Sequence, residues 1–169
     1  MNIPRSTIYP SIFLSGTPAW ERFEMIMKSN FELFLETDVF KYHLEGKENS
    51  ILVKCHRLFS CFTSVINASE LFSLSDNEAD RTNIKSSLYG TGVLGIPYKY
   101  SERAGMLMNE FEGFTLREYM IGALLLETKL PVISFSNKDV KFYAMTGIKF
   151  IDSAAVLKLD SAKLIFNTL

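Results

Sequence analysis

Five acids stand where alternating strands and helices would bring their oxygens together. Glu36 and Asp38 follow an apolar run at 31–35, and Glu70 lies in a helix after a second such run. Glu118 is in the first turn of the long helix that Thr115 opens, and Asp139, with Asn137 two residues earlier, follows the run Val132–Phe135. In a parallel α/β sheet, strand ends and helix starts of this kind share one edge. Three or more carboxylates with few basic neighbours cannot all stay ionised side by side unless a cation sits among them. Hard oxygen ligands suit Mg²⁺ or Mn²⁺. Taken singly, each acid has a plainer reading. Glu118 three residues after Thr115 completes a capping box, Glu70 is a helix-start charge favoured by the dipole, and Asp38 caps the following turn.

Other site chemistries find less support. His43 and His56 are isolated, and Cys55 and Cys61 lack zinc-ligand spacing. The glycines at 90, 92 and 95 spell a G-x-G-x-x-G, but no clear strand precedes them and Pro97 forbids an immediate helix. Asp76, Glu78 and Asp80 lack the glycine and terminal Glu of a calcium loop, so 75–83 reads as a solvated helix start.

The elements that must position the acids are short and alternate in type. The pattern predicts a strand at 31–35, a helical turn over 39–44, and a helix capped by Asn49 or Ser50 that runs through Leu58. A strand at 61–66 follows, then a helix capped by Asn67 that carries Glu70, and a helix from Ile84. A turn and short strand fill 90–97, and Ser101 caps a helix to about Glu112. The Thr115 helix reaches Lys129 and stops at Pro131. A strand at 132–135, a helix at 140–145, a strand at 148–151 and a helix at 153–166 complete the chain. Alternation of this kind predicts an α/β fold: a three-layer α/β/α sandwich around a central, mostly parallel sheet. Residues 1–30 form an N-terminal extension, an arm plus a short helix that begins after Thr17-Pro18 and presents Trp20, Phe23 and Met27 on one face. Residues 31–169 form the domain proper.

Composition sets the outer bounds. The chain has 169 residues, enough for one domain with a sizeable core, and a net charge of −1 that gives no global sign of polyanion binding. No apolar run reaches the roughly 18 residues that span a membrane, and the start lacks an apolar signal region, so a cytoplasmic protein with reduced thiols is expected.

Three segments carry a resemblance. Phe-Leu-Glu-Thr-Asp-Val-Phe (34–40) resembles the first-strand motif of PIN domains, and Thr-Ser-Val-Ile-Asn-Ala-Ser-Glu-Leu (63–71) their second-acid motif. The stretch 117–140 resembles their third-acid helix, strand and final acidic turn, and the subgroup it is most similar to is the VapC-type toxins. The resemblance spans roughly 31–152. It implies a metal-dependent endoribonuclease, the toxin of a toxin–antitoxin pair, or alternatively a catalytically inactive PIN fold kept as a protein- or RNA-binding module. It further implies Glu36, Glu70, Glu118 and Asp139 as catalytic acids holding Mg²⁺ or Mn²⁺, with Asp38 and Asn137 as further ligands. Thr37 and Ser136 would orient ligands or waters, and Lys41, Arg117 and Lys138 would contact RNA unless they are solvated surface charges. An RNA substrate, an antitoxin protein and a homodimer are the implied partners. The family usually has Asp where this chain has Glu36 and Glu118, so the carboxylates here reach about 1.5 Å further. A dehalogenase-like phosphatase reading of Glu36-Thr37-Asp38 fails because it needs Asp at the first place.

Overall fold

The computed structural model describes residues 32–46, 50–153 and 156. The N-terminal extension and most of the helix expected at 153–166 lie outside the described residues. Four strands, β1 (Glu32–Leu35), β2 (Ser60–Ser64), β3 (Gly92–Leu94) and β4 (Val132–Ile133), form one sheet in the order β3-β2-β1-β4. Every pairing is parallel: Leu33 lies opposite Cys61, Phe62 opposite Gly92, and Leu35 opposite Ile133. A parallel neighbour needs a crossover, and helices supply it on both faces. They are α1 (Thr37–Leu44), α2 (Ile51–Leu58), α3 (Val65–Phe72), α4 (Glu78–Leu88), α5 (Tyr100–Glu110), α6 (Leu116–Thr128) and α7 (Asn137–Thr146).

Strand side chains alternate between two cores, because successive residues of a strand point to opposite faces. Phe34 and Val132 pack with Leu107, Ile121, Leu124, Phe142 and other residues of α5, α6 and α7. Leu33, Leu35, Cys61 and Ile133 pack with Val39, Phe40, Ile51, Leu52, Leu71 and Ile84 on the opposite side. The three-layer α/β/α architecture follows directly. Gly122 permits the close fit of α6 on α7, since a Cβ there would come 2.7 Å from the Phe142 ring.

Several boundaries differ from the sequence expectation, each for a local reason. α1 begins at Thr37 rather than 39, because Glu36 caps it by accepting from the Thr37 amide. β2 ends at Ser64, and Ser64 rather than Asn67 is the helix cap. Its hydroxyl accepts from the Asn67 amide while the Asn67 side chain returns to the Ser64 amide, a reciprocal capping box. α5 begins at Tyr100, so Ser101 is inside it. β4 stops at Ile133 because the amides of Phe135 and Ser136 turn to the Asp38 carboxylate instead of a ladder. α7 starts at Asn137 under a Ser136 cap. The strand expected at 148–151 is reduced to a bridge between Phe150 and Val132. No helix among the described residues is long and apolar enough to cross a membrane.

Candidate functional site

The carboxyl ends of β1, β2 and β4 deliver their polar residues to one edge of the sheet. An open cleft of about 400 Å³ lies there, lined by Thr37, Asp38, Lys41, Glu70, Arg117, Glu118, Ser136, Lys138 and Asp139, among others. Glu36 lies beneath it with no exposed surface.

Arg117 stands at the centre of the acids. Its Nη2 donates to Glu36 Oε2 at 2.6 Å, its Nε to Glu70 Oε1 at 2.5 Å, and its Nη1 lies 3.6 Å from Asp139 Oδ1. The side chain is 23% exposed, which excludes a solvated surface charge. Burial alone would lower its basicity, but Glu36, Glu70 and Asp139 more than reverse that, and the guanidinium is held charged well above its ordinary range. The sequence placed Arg117 on RNA or in solvent. The structure seats it as the internal counter-charge of the cluster.

Each acid already has partners. Glu36 Oε2 also accepts from Asn67 Nδ2 at 2.6 Å and the Thr37 amide at 3.2 Å, and its Oε1 accepts from the Tyr143 hydroxyl. Glu70 accepts from the Thr37 hydroxyl at 2.5 Å. Glu118 completes the Thr115 capping box through the Thr115 amide and hydroxyl, and its other oxygen lies 2.6 Å from Lys138 Nζ. Burial pushes the Glu118 carboxyl up, yet Lys138 and Thr115 win and hold it below the usual carboxylate range. Asp38 Oδ2 accepts from Ser134 Oγ at 2.8 Å and from the amides of Phe135 and Ser136 at 2.7 and 2.8 Å. Its Oδ1, by contrast, is buried without a hydrogen-bond partner. Asp139 is pushed up to about 6 by burial first and then by the charge of Glu36, which Arg117 only partly offsets.

So Glu70, Glu118, Asp38 and Asp139 share the cleft, and Glu36 joins them from below through Arg117. Asn137 does not join: it is exposed in the first turn of α7 and does not line the cleft. Ser136 serves α7 as its cap, accepting from the Asp139 amide at 3.3 Å. Lys41 is exposed at the rim, and Lys138 is committed to Glu118. Two positions that sequence reasoning missed matter most to Glu36. Asn67, read as a cap, precedes Glu70 by three residues and so shares its helix face; Tyr143 follows Asp139 by four and shares that one. The helical spacing was visible, but the need of a fully buried Glu36 for extra donors was not.

A divalent cation requires several carboxylates with free lone pairs aimed at one point. Among the described residues no group of three or more His, Cys, Asp or Glu side chains has that arrangement. With Arg117 in place, the oxygens of Glu36 and Glu118 are spent on protein donors, and these residues do not fit Mg²⁺ or Mn²⁺.

No protein-family model and no curated protein matches the chain. Solved structures do. The structure of VapBC2 from Rickettsia felis, bound to a DNA fragment from its promoter, matches with a TM-score of 0.61 at 15% identity, covering 72% of this chain and 98% of that one. VapBC-1 from nontypeable Haemophilus influenzae matches with a TM-score of 0.58 at 17% identity, covering 73% of this chain and 99% of that one. A toxin–antitoxin complex from Klebsiella pneumoniae gives a TM-score of 0.58 at 17% identity over 72% of this chain and 97% of that one. The fold is therefore that of the PIN-domain toxins, as the three sequence motifs implied.

Proposed function

From the premise of a PIN fold, we propose that this chain is a toxin-type PIN protein that, with Arg117 seated among its acids, works as a protein-binding module and holds no metal. One observation carries this reading: a single guanidinium bridges Glu36, Glu70 and Asp139. The charge of the cleft supports it. Asp38, Glu70, Glu118 and Asp139, with Glu36 beneath, set five acids against Lys41, Arg117 and Lys138. Two negative charges in excess repel an RNA backbone and attract a basic segment of a protein partner. The antitoxin complexes among the structural neighbours are consistent with such a partner. The test is fluorescence anisotropy with a labelled arginine-rich peptide. Binding should weaken as salt rises and again in Glu70→Gln, and a peptide that binds parent and variant equally would sink the reading.

The second reading is a divalent-metal-dependent endoribonuclease using Mg²⁺ or Mn²⁺. It is favoured by the unpartnered Asp38 Oδ1 and by the raised Asp139, which mark carboxylate left over after the internal cations are satisfied. Glu36, Glu70, Glu118 and Asp139 would be its ligands once Arg117 had left the cluster. Mn²⁺ should then outperform Mg²⁺, because longer Glu side chains make a looser site than the strict octahedron of Mg²⁺ accepts. RNA cleavage that requires metal and disappears in Glu70→Gln would establish this reading and overturn the first.

A further inference from the structure

Arg117 makes three contacts that no solvated arginine makes, and their geometry has a direction. Nε faces Glu70 of α3, Nη2 faces Glu36 at the end of β1, and Nη1 faces Asp139 of α7, so one planar cation touches acids from three separate elements. The fork is held from behind as well: Thr37 Oγ1 lies 3.5 Å from Nη2 while donating to Glu70. Arg117 itself sits in the first turn of α6, next to Glu118, whose carboxylate is turned the other way onto Lys138 and Thr115. Four of the five acids thus fall to two tethered cations, Glu36, Glu70 and Asp139 to Arg117 and Glu118 to Lys138.

We propose that Arg117 is the resident cation of this cluster and is what excludes divalent metal from it, so that replacing the arginine by a neutral side chain turns the cluster into a Mn²⁺ site. This rests on the metal-free reading above and deepens it. A guanidinium and a divalent ion compete for the same oxygens of Glu36, Glu70 and Asp139, and the guanidinium is covalently attached, so it acts at a high effective concentration. Without it, the three carboxylates that faced one guanidinium, with the unpartnered Asp38 Oδ1 on the same edge, repel one another and favour drawing together on a small doubly charged ion. The shape of the cation matters less than its charge: Arg117→Lys keeps a positive charge at the position and keeps metal out.

The experiment uses the full chain and MnCl₂ as the probe. Binding is read from the loss of the free Mn²⁺ paramagnetic resonance signal, and separately from the thermal midpoint with and without the ion. The parent and Arg117→Lys should leave the Mn²⁺ signal unchanged. Arg117→Met should bind one Mn²⁺ at least about a hundredfold more tightly than the parent, given the loss of one charge near three acids. It should melt lower than the parent in metal-free buffer and recover when Mn²⁺ is added. Arg117→Gln, which keeps hydrogen-bonding capacity, serves if the Met variant does not fold, and should behave likewise. Folded neutral variants that take up no Mn²⁺ would overturn the inference and leave the metal-free reading standing. Uptake by Arg117→Lys equal to that of the neutral variants would also overturn it. Tight Mn²⁺ binding by the parent would overturn the inference together with the reading beneath it.

Discussion

Tyr143 on α7 donates its phenolic hydrogen to Oε1 of Glu36, which leaves Oε2 for Arg117, Asn67 and the Thr37 amide. A residue near the end of the described chain thereby fixes the acid at the end of the first strand. Burial and the negative charge of Glu36 hold the phenol well above its ordinary range, so it remains a donor at every relevant pH. Tyr143→Phe removes one hydrogen bond to a buried charged acceptor and should cost about 1.5–3 kcal/mol of stability. Urea denaturation measures it, and a loss below about 0.5 kcal/mol would show that Oε1 finds another donor.

Glu36→Gln asks more of the same network. The carboxylate is fully buried and paired with Arg117 at 2.6 Å. Breaking a buried pair from one side leaves the other charge uncompensated, at a cost of roughly 3–5 kcal/mol. Glu70 and Asp139 remain beside the guanidinium, so the loss should fall toward the lower end of that range. In Arg117→Met the orphaned cation is gone, and Glu36→Gln should cost less there than in the parent. A double-mutant cycle checks this, and equal costs in both backgrounds would mean that Glu36 and Arg117 are not coupled.

Sequence patterning revealed the strands and helices because a parallel sheet writes buried runs between helical periods. It revealed the shared edge because strand ends and helix starts locate it without side-chain detail. What it could not reveal was how each side chain is used. Arg117 looks like any helix-start cation until Glu36, Glu70 and Asp139 are seen around it. Asn67 has the composition of a cap and is one half of a capping box, but Ser64 is the cap, and the Asn67 amide also serves Glu36. Asp38 shortens β4 by taking the Phe135 amide, which the pattern assigned to a strand. These are contacts between segments, and local periodicity carries no trace of them.

Gly122 tests the packing that holds α6 against α7. In an exposed helix Gly→Ala would stabilise by about 0.5–1 kcal/mol. Here the added methyl would meet Phe142 Cε1 at 2.7 Å and Cζ at 2.9 Å, and Phe142 is fully buried against Phe114 and Tyr119. Gly122→Ala should therefore destabilise by about 1–3 kcal/mol, and Phe142→Leu should relieve part of that in the double variant. A parent-like or higher melting temperature for Gly122→Ala would show that the ring can move aside.

Asp139 sets the pH dependence above the acid range. Its folded carboxyl stands at about 6 against an ordinary value of 3.8, with burial the first cause and the charge of Glu36 the second. Between those values the folded protein binds a proton that the unfolded chain releases, so stability is highest below them and is lost as pH rises through 6. Glu118 works with the opposite sign. Its folded carboxyl lies below the ordinary 4.5, so its contribution is present above that value and is lost as pH falls beneath it. Stability should accordingly peak near pH 4.5 and fall by on the order of 2 kcal/mol toward neutral pH, most of it before pH 6. Asp139→Asn carries no charge at any pH. It should abolish most of the decline across that upper range and exceed the parent in stability near pH 8, while leaving the acid limb intact. Urea midpoints for both proteins across the range provide the measurement, and a parent profile that stays flat from near pH 5 to near pH 8 would mean that Asp139 is ionised throughout and that Arg117 neutralises it more fully than a 3.6 Å contact implies.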